Sequence, residues 1–89
     1  MTQIQILKVK TIRNRHSTLE VSGYIGQNRF YGYLEGVCLT ISTPHPLNSK
    51  QVENFEEKLQ ELFPVSYDGK FKKKEIDLIM KDAPFIFSV

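Results

Sequence analysis

Residues 17–42, STLEVSGYIGQNRFYGYLEGVCLTIS, decide the fold. Apolar and polar side chains alternate along this stretch, and two short turn-forming segments interrupt it, Gly26-Gln27-Asn28-Arg29 and Glu35-Gly36. Alternation with a period of two marks a half-buried strand, so the stretch reads as three strands joined by two hairpins. A hairpin loop with an even number of residues leaves its flanking residues on the same side of the sheet. The loop at Glu35-Gly36 therefore pairs Leu34 with Val37 and puts Phe30, Leu34, Val37, Leu39 and Ile41 on one face. The loop at 26–29 pairs Ile25 with Phe30 and adds Leu19, Val21 and Ile25 to that face. The set is β-branched and aromatic, as a core-facing sheet surface should be.

The opposite face collects Glu20, Ser22 and Tyr24, then Arg29, Tyr31 and Tyr33, then Cys38, Thr40 and Ser42. Upstream, Gln3 to Thr11 reads as a first strand whose apolar positions change parity, with Ile4 and Ile6 even but Leu7 and Val9 odd. A bulge near Leu7 reconciles them. It leaves Ile4, Ile6 and Val9 in the core and sends Lys8 and Lys10 to the tyrosine-bearing face. The basic segment Arg13-Asn14-Arg15-His16-Ser17 then reads as a loop.

Downstream, the two prolines of Thr43-Pro44-His45-Pro46 make a stiff connector that ends the meander. Asn48 or Ser49 can cap a helix from Lys50 to Phe63, which Pro64 stops. Its stripe of Val52, Phe55, Leu59, Leu62 and Phe63 lies opposite Lys50, Glu53, Glu57 and Glu61, so the helix should lie across the core face of the sheet. Residues 64–71 fit either a short hairpin about Asp68-Gly69 or an irregular loop. A second helix from Lys73 to Ala83 follows, with Ile76, Ile79, Met80 and Ala83 at helical spacing. Phe85 to Val89 reads as a buried terminal strand. The expected fold is α+β: a four-stranded antiparallel meander with a helix packed on one face, then a second short helix and a C-terminal strand. All of it falls in one compact domain, 1–89.

The bulk properties narrow the function classes. Hydrophobic residues at 40% and charged residues at 25% fit an ordered globular chain. The single cysteine, Cys38, forms no internal disulfide, and Met1-Thr2-Gln3-Ile4 lacks the charged head and apolar stretch of a signal segment, so a cytoplasmic location is expected. The apolar runs are far too short for a membrane-spanning helix. The net charge of +2 conceals a polar distribution. Residues 1–34 carry Lys8, Lys10, Arg13, Arg15 and Arg29 against Glu20. Residues 35–63 carry Lys50 and Lys58 against Glu35, Glu53, Glu56, Glu57 and Glu61.

No catalytic, metal-binding or phosphate-loop pattern occurs in the 89 residues. His16 and His45 sit in separate loops with no further ligand at metal-site spacing. Cys38, between Val37 and Leu39 in a strand, reads as a structural thiol. The glycines punctuate strands and turns rather than form a nucleotide-binding pattern. The expectation is a non-enzymatic protein with no cofactor and no metal.

What remains is binding. Arg29, Tyr31 and Tyr33, with Lys8, Lys10 and Tyr24, combine the residue types that dominate protein interfaces. They are also the types that stack bases and hold phosphates. Arg13 and Arg15, and Lys72 and Lys73 in the run from Lys70 to Lys74, are secondary candidates, because lysines at a helix start oppose its dipole and hint at an external anion. The stripe of Glu53, Glu57 and Glu61 is another, at the cost of mutual repulsion. Against the tyrosine face stands the alternative that the second helix and the terminal strand cover it and bury the tyrosines. The leading expectation is a small interaction module, an adaptor or inhibitor that occupies a surface of a larger protein or nucleoprotein complex. The alternative is single-stranded DNA or RNA binding through the basic tyrosine face.

Overall fold

The computed structural model describes residues 1–43 and 47–89. The expected proline connector, with His45, lies largely outside the described residues. Five strands, β1 (Gln3–Ile12), β2 (Arg15–Ile25), β3 (Asn28–Glu35), β4 (Cys38–Ser42) and β5 (Phe85–Ser88), form one sheet in the order β4-β3-β2-β1-β5, antiparallel throughout. The α+β class and the meander match the sequence reading. The terminal strand differs, because it joins the meander beside β1 as a fifth strand.

Both inner hairpins close with two-residue loops, each opening on a glycine at positive φ, +60° at Gly26 and +59° at Gly36. Two-residue hairpin loops need that backbone region at their first position, where glycine meets no steric penalty. Ile25 consequently pairs with Asn28, and Leu34 with Leu39. Each observed pairing is displaced by two residues from the expected one, so the faces are unchanged apart from the turn itself. Val37 is the exception: it sits in the loop, 68% exposed, and not in the core.

The expected bulge is present, since Ile6 pairs with Gly23 but Lys8 with Ser22, leaving Leu7 unpaired and exposed. A second irregularity lies between Thr11 and Ile12. At the first bulge the backbone of β1 presses on β2 so closely that a Cβ at Gly23 would lie 1.9 Å from the Gln5 carbonyl oxygen. Only glycine fits that approach.

Helix α1 (Ser49–Leu62) begins with a capping box: Asn48 Oδ1 accepts from Gln51 N at 2.8 Å, and Gln51 Oε1 accepts from Asn48 N at 3.1 Å. It buries Phe55 and Leu59, followed by Phe63, against the sheet. Phe55 meets Phe30 and Phe87 edge-on at 5.6 and 5.7 Å, and Phe63 meets Phe85 at 5.9 Å. The same helix shields one sheet edge, where the outward Leu39 N–H donates to Glu56 Oε2 at 2.8 Å. Capping an edge donor in this way blocks pairing with another strand.

Residues between α1 and α2 (Lys73–Ile79) form an irregular loop with a tight turn, in which Gly69 N donates to the Ser66 carbonyl at 2.8 Å. Phe71 N donates to the His16 carbonyl at 2.7 Å, which tethers the loop to β2 and delivers Phe71 to the core. Helix α2 is shorter than expected and runs into a single 3-10 turn, Met80–Asp82. Its Ile76 is buried in the same core as α1.

The terminal strand is not wholly buried. Phe85 and Phe87 lie half-buried toward α1, while Ile86, opposite Gln5, is 58% exposed on the far side. Pairing continues past β5, where Thr2 and Val89 exchange two backbone hydrogen bonds of 2.9 Å. Both helices and the aromatic residues of β5 therefore pack on one face of the sheet. The other face stays open, and the alternative in which they cover the tyrosines is overturned.

Candidate functional site

Antiparallel pairing arranges the open face in transverse rows. One row runs Ile86, Gln5, Tyr24, Arg29; the next Lys8, Ser22, Tyr31, Ser42; the third Lys10, Glu20, Tyr33, Thr40. All six primary candidates thus share one surface. The β1 bulge is what brings Lys8 and Lys10 there, because without it their side chains would alternate to the core side.

A polar network fixes the centre. The Tyr31 hydroxyl donates to Glu20 Oε1. Because its single proton is committed there, the Tyr33 hydroxyl donates to Tyr31 Oη across 3.0 Å. Lys10 Nζ lies 3.7 Å from Glu20 Oε2. The two tyrosine rings meet edge-on, with centroids 5.3 Å apart and planes at 89°. Acceptance of the Tyr31 proton by Glu20 raises the Tyr31 phenol pKa well above its ordinary value. Tyr31 is 42% exposed, so the network stands at the surface. Glu20 was placed on this face by alternation but not foreseen as its hub. As the one carboxylate in the middle of three cations and three tyrosines, it was legible as such.

Beside the network lies an open groove of about 620 Å³, with Lys8, Lys10, Glu20, Ser22, Arg29, Tyr31, Ser42 and Thr43 along it. Its depression follows from the small Ser22 on β2, set between longer side chains on β1 and β3. Arg29 lies over the Tyr24 ring, 6.0 Å from the centroid. Among the described residues neither Lys8 nor Arg29 has a carboxylate within ion-pair distance.

The secondary candidates are dispersed. Arg15 is at the opposite end of the sheet from Arg29 and is paired with Glu35 at 2.7 Å. Arg13 is exposed in the β1–β2 turn. Lys72 and Lys73 belong to the helical layer, where Asp68 and Asp77 engage them at 2.9 and 2.6 Å. The Lys72 ammonium holds the Asp68 carboxyl below its ordinary pKa. Local carboxylates therefore answer the charge of these two lysines without an external anion. Glu53, Glu57 and Glu61 are exposed on α1, also on the helical side, and Glu61 is near Lys58 at 3.6 Å. Cys38 is exposed at the start of β4.

Among the described residues no group of three His, Cys, Asp or Glu side chains is disposed to hold a metal ion, and no helix is long and apolar enough to cross a membrane. Comparison of the chain with family models, curated proteins and solved structures gives no match.

Proposed function

We propose that the protein is a non-enzymatic interaction module, an adaptor or inhibitor, that docks its open sheet face on a larger protein. The observation that carries this reading is the prearranged pair Tyr31 and Tyr33, held on the exposed face by hydrogen bonds from Tyr33 to Tyr31 and from Tyr31 to Glu20, whose carboxylate pairs with Lys10. Interface anchors are most often Tyr, Trp or Arg, and side chains already held in place lose less entropy on binding. Arg29 and Lys8 flank the pair with charge to spare.

The nucleic-acid alternative has less support. A polyanion laid on this face would bring phosphates against the Glu20 carboxylate. The edge-on packing of the tyrosines also removes much of the flat surface that stacking requires. The lysines that would extend a phosphate track belong to the other layer.

The test is capture from a lysate of the source cell on the immobilised protein, with and without nuclease, compared with Tyr31→Ala and Tyr33→Ala. A stoichiometric protein retained after nuclease and lost from both variants is the expected result, with a loss of at least about 2 kcal/mol for a central anchor. Tyr31→Ala should melt close to the parent, as exposed substitutions usually change stability by no more than about 0.5 kcal/mol, whereas Tyr33→Ala, at a half-buried site, should cost more than that without unfolding the chain. Failure of the parent to retain any protein, or retention abolished by nuclease, defeats the reading.

A further inference from the structure

We propose that the groove over Ser22 receives an acidic side chain from the partner's polypeptide, held between Lys8 on β1 and Arg29 on β3; this rests on the docking reading above. Three features of the groove point to it. The first is charge. Glu20 is answered by Lys10 and by the Tyr31 hydroxyl, whereas Lys8 and Arg29 have no carboxylate among the described residues. The uncompensated charge of the face is concentrated at these two side chains, and like charges on a shared surface favour an incoming anion.

The second is shape. Ser22 pairs with Lys8 on one side and Tyr31 on the other, while Arg29 stands one row along, opposite Tyr24. Neighbouring strands are about 4.8 Å apart, so β1 and β3 stand nearly 10 Å apart across the serine. With Arg29 two residues further along β3, the Lys8 and Arg29 backbones lie about 12 Å apart, a span that two long side chains can close on one carboxylate. Ser22 and Ser42 add hydroxyl donors along the same groove.

The third is extent. At the Lys10 end the groove runs into Glu20, whose carboxylate repels a second anion. The basic segment is therefore two residues long and suits a single acidic side chain rather than the closely repeated charges of a phosphodiester strand. A protein segment that presents an isolated Glu or Asp beside apolar contacts for Tyr31 matches this arrangement. A phosphate track does not.

The probe is a capped peptide with one glutamate flanked by leucines, titrated into ¹⁵N-labelled full-length protein at low salt, with a short oligothymidylate in a parallel series. Expected are saturable amide shifts at Lys8, Ser22 and Arg29. Lys8→Glu and Arg29→Glu should each weaken binding of the single-glutamate peptide about three- to fivefold, the upper part of the range of exposed charge pairs. Lys74→Glu on α2 should leave it unchanged. Shifts centred on Arg13 or on Lys72 to Lys74, or no saturation, overturn the assignment. Tighter binding of oligothymidylate at the same amides overturns it in favour of nucleic acid. If the single-glutamate peptide fails to bind while capture of a protein partner still depends on Tyr31 and Tyr33, the acidic-segment assignment alone falls. If that tyrosine-dependent capture is itself absent, the docking reading falls with it.

Discussion

On the helix-covered face of the sheet, Ile4, Ile6, Leu19, Val21 and Leu34 are fully enclosed, and α1 meets them with Phe55 and Leu59. One residue along on the same strands, the open face presents Lys8 and Ser22 beside Lys10, Glu20, Tyr31 and Tyr33, the last four tied together by hydrogen bonds and charge. The two surfaces share a backbone and a register, and differ in what holds their side chains in place. Packing orders the first, so its substitutions should register as stability. A hydrogen-bonded network at the water boundary orders the second, so its substitutions should register as recognition and titration behaviour.

The sharpest way to break this contrast is to excavate the closed face. Leu59 is inaccessible to solvent. Leu59→Ala should cost about 2–5 kcal/mol, from lost burial and the cavity left behind. Denaturant unfolding measures it, and a loss below about 0.5 kcal/mol would mean that α1 does not pack on the sheet as described.

A second variant strikes the feature that keeps the two faces in phase. Gly23→Ala would drive a methyl group into the Gln5 carbonyl, so β1 must move or give up its bulge. A penalty of about 1–3 kcal/mol is expected, as for other overpacked sites. The amide cross-peaks of Leu7 and Lys8 should shift most. An unaltered bulge at parental stability would remove Gly23 from this role.

The smallest stability effect, and the most telling for the open face, belongs to Glu20→Gln. Loss of the Lys10 pair should cost less than about 1 kcal/mol. The Tyr31 phenol, however, should ionise at lower pH than in the parent, visible in the near-ultraviolet phenolate band. The sign follows from linkage. Its folded-state pKa lies above the ordinary 10.0, so its contribution to stability is complete below that pH and is lost as the pH rises through the raised value. Identical phenol titrations in parent and variant would dissolve the proposed network.

Much of this contrast was readable in the chain. Alternation assigned Phe30, Leu34 and Leu39 to one side and Arg29, Tyr31 and Tyr33 to the other, and the parity break at Leu7 located the bulge. The faces survived two misplaced loops because displacement by two residues preserves alternation; Val37, within the loop, did not. A cap at Asn48 or Ser49 and the α1 stripe followed from capping and a period near 3.6, which are local properties, and the reciprocal bonds with Gln51 select Asn48.

Contacts remote in sequence needed the tertiary structure. Nothing in Phe85-Ile86-Phe87 specifies β1 as its partner, because an alternating strand can add to any free edge, and the shielding of β4 by Glu56 appears only once α1 is docked. The same holds for the open face. Composition and register established which side chains it carries. That it is uncovered, with Glu20 linking Lys10 to the tyrosines, was decided by α1, α2 and the aromatic residues of β5 all burying their apolar surfaces in a single core on the other side. Periodicity specifies which residues share a face; only packing in three dimensions determines which face remains exposed.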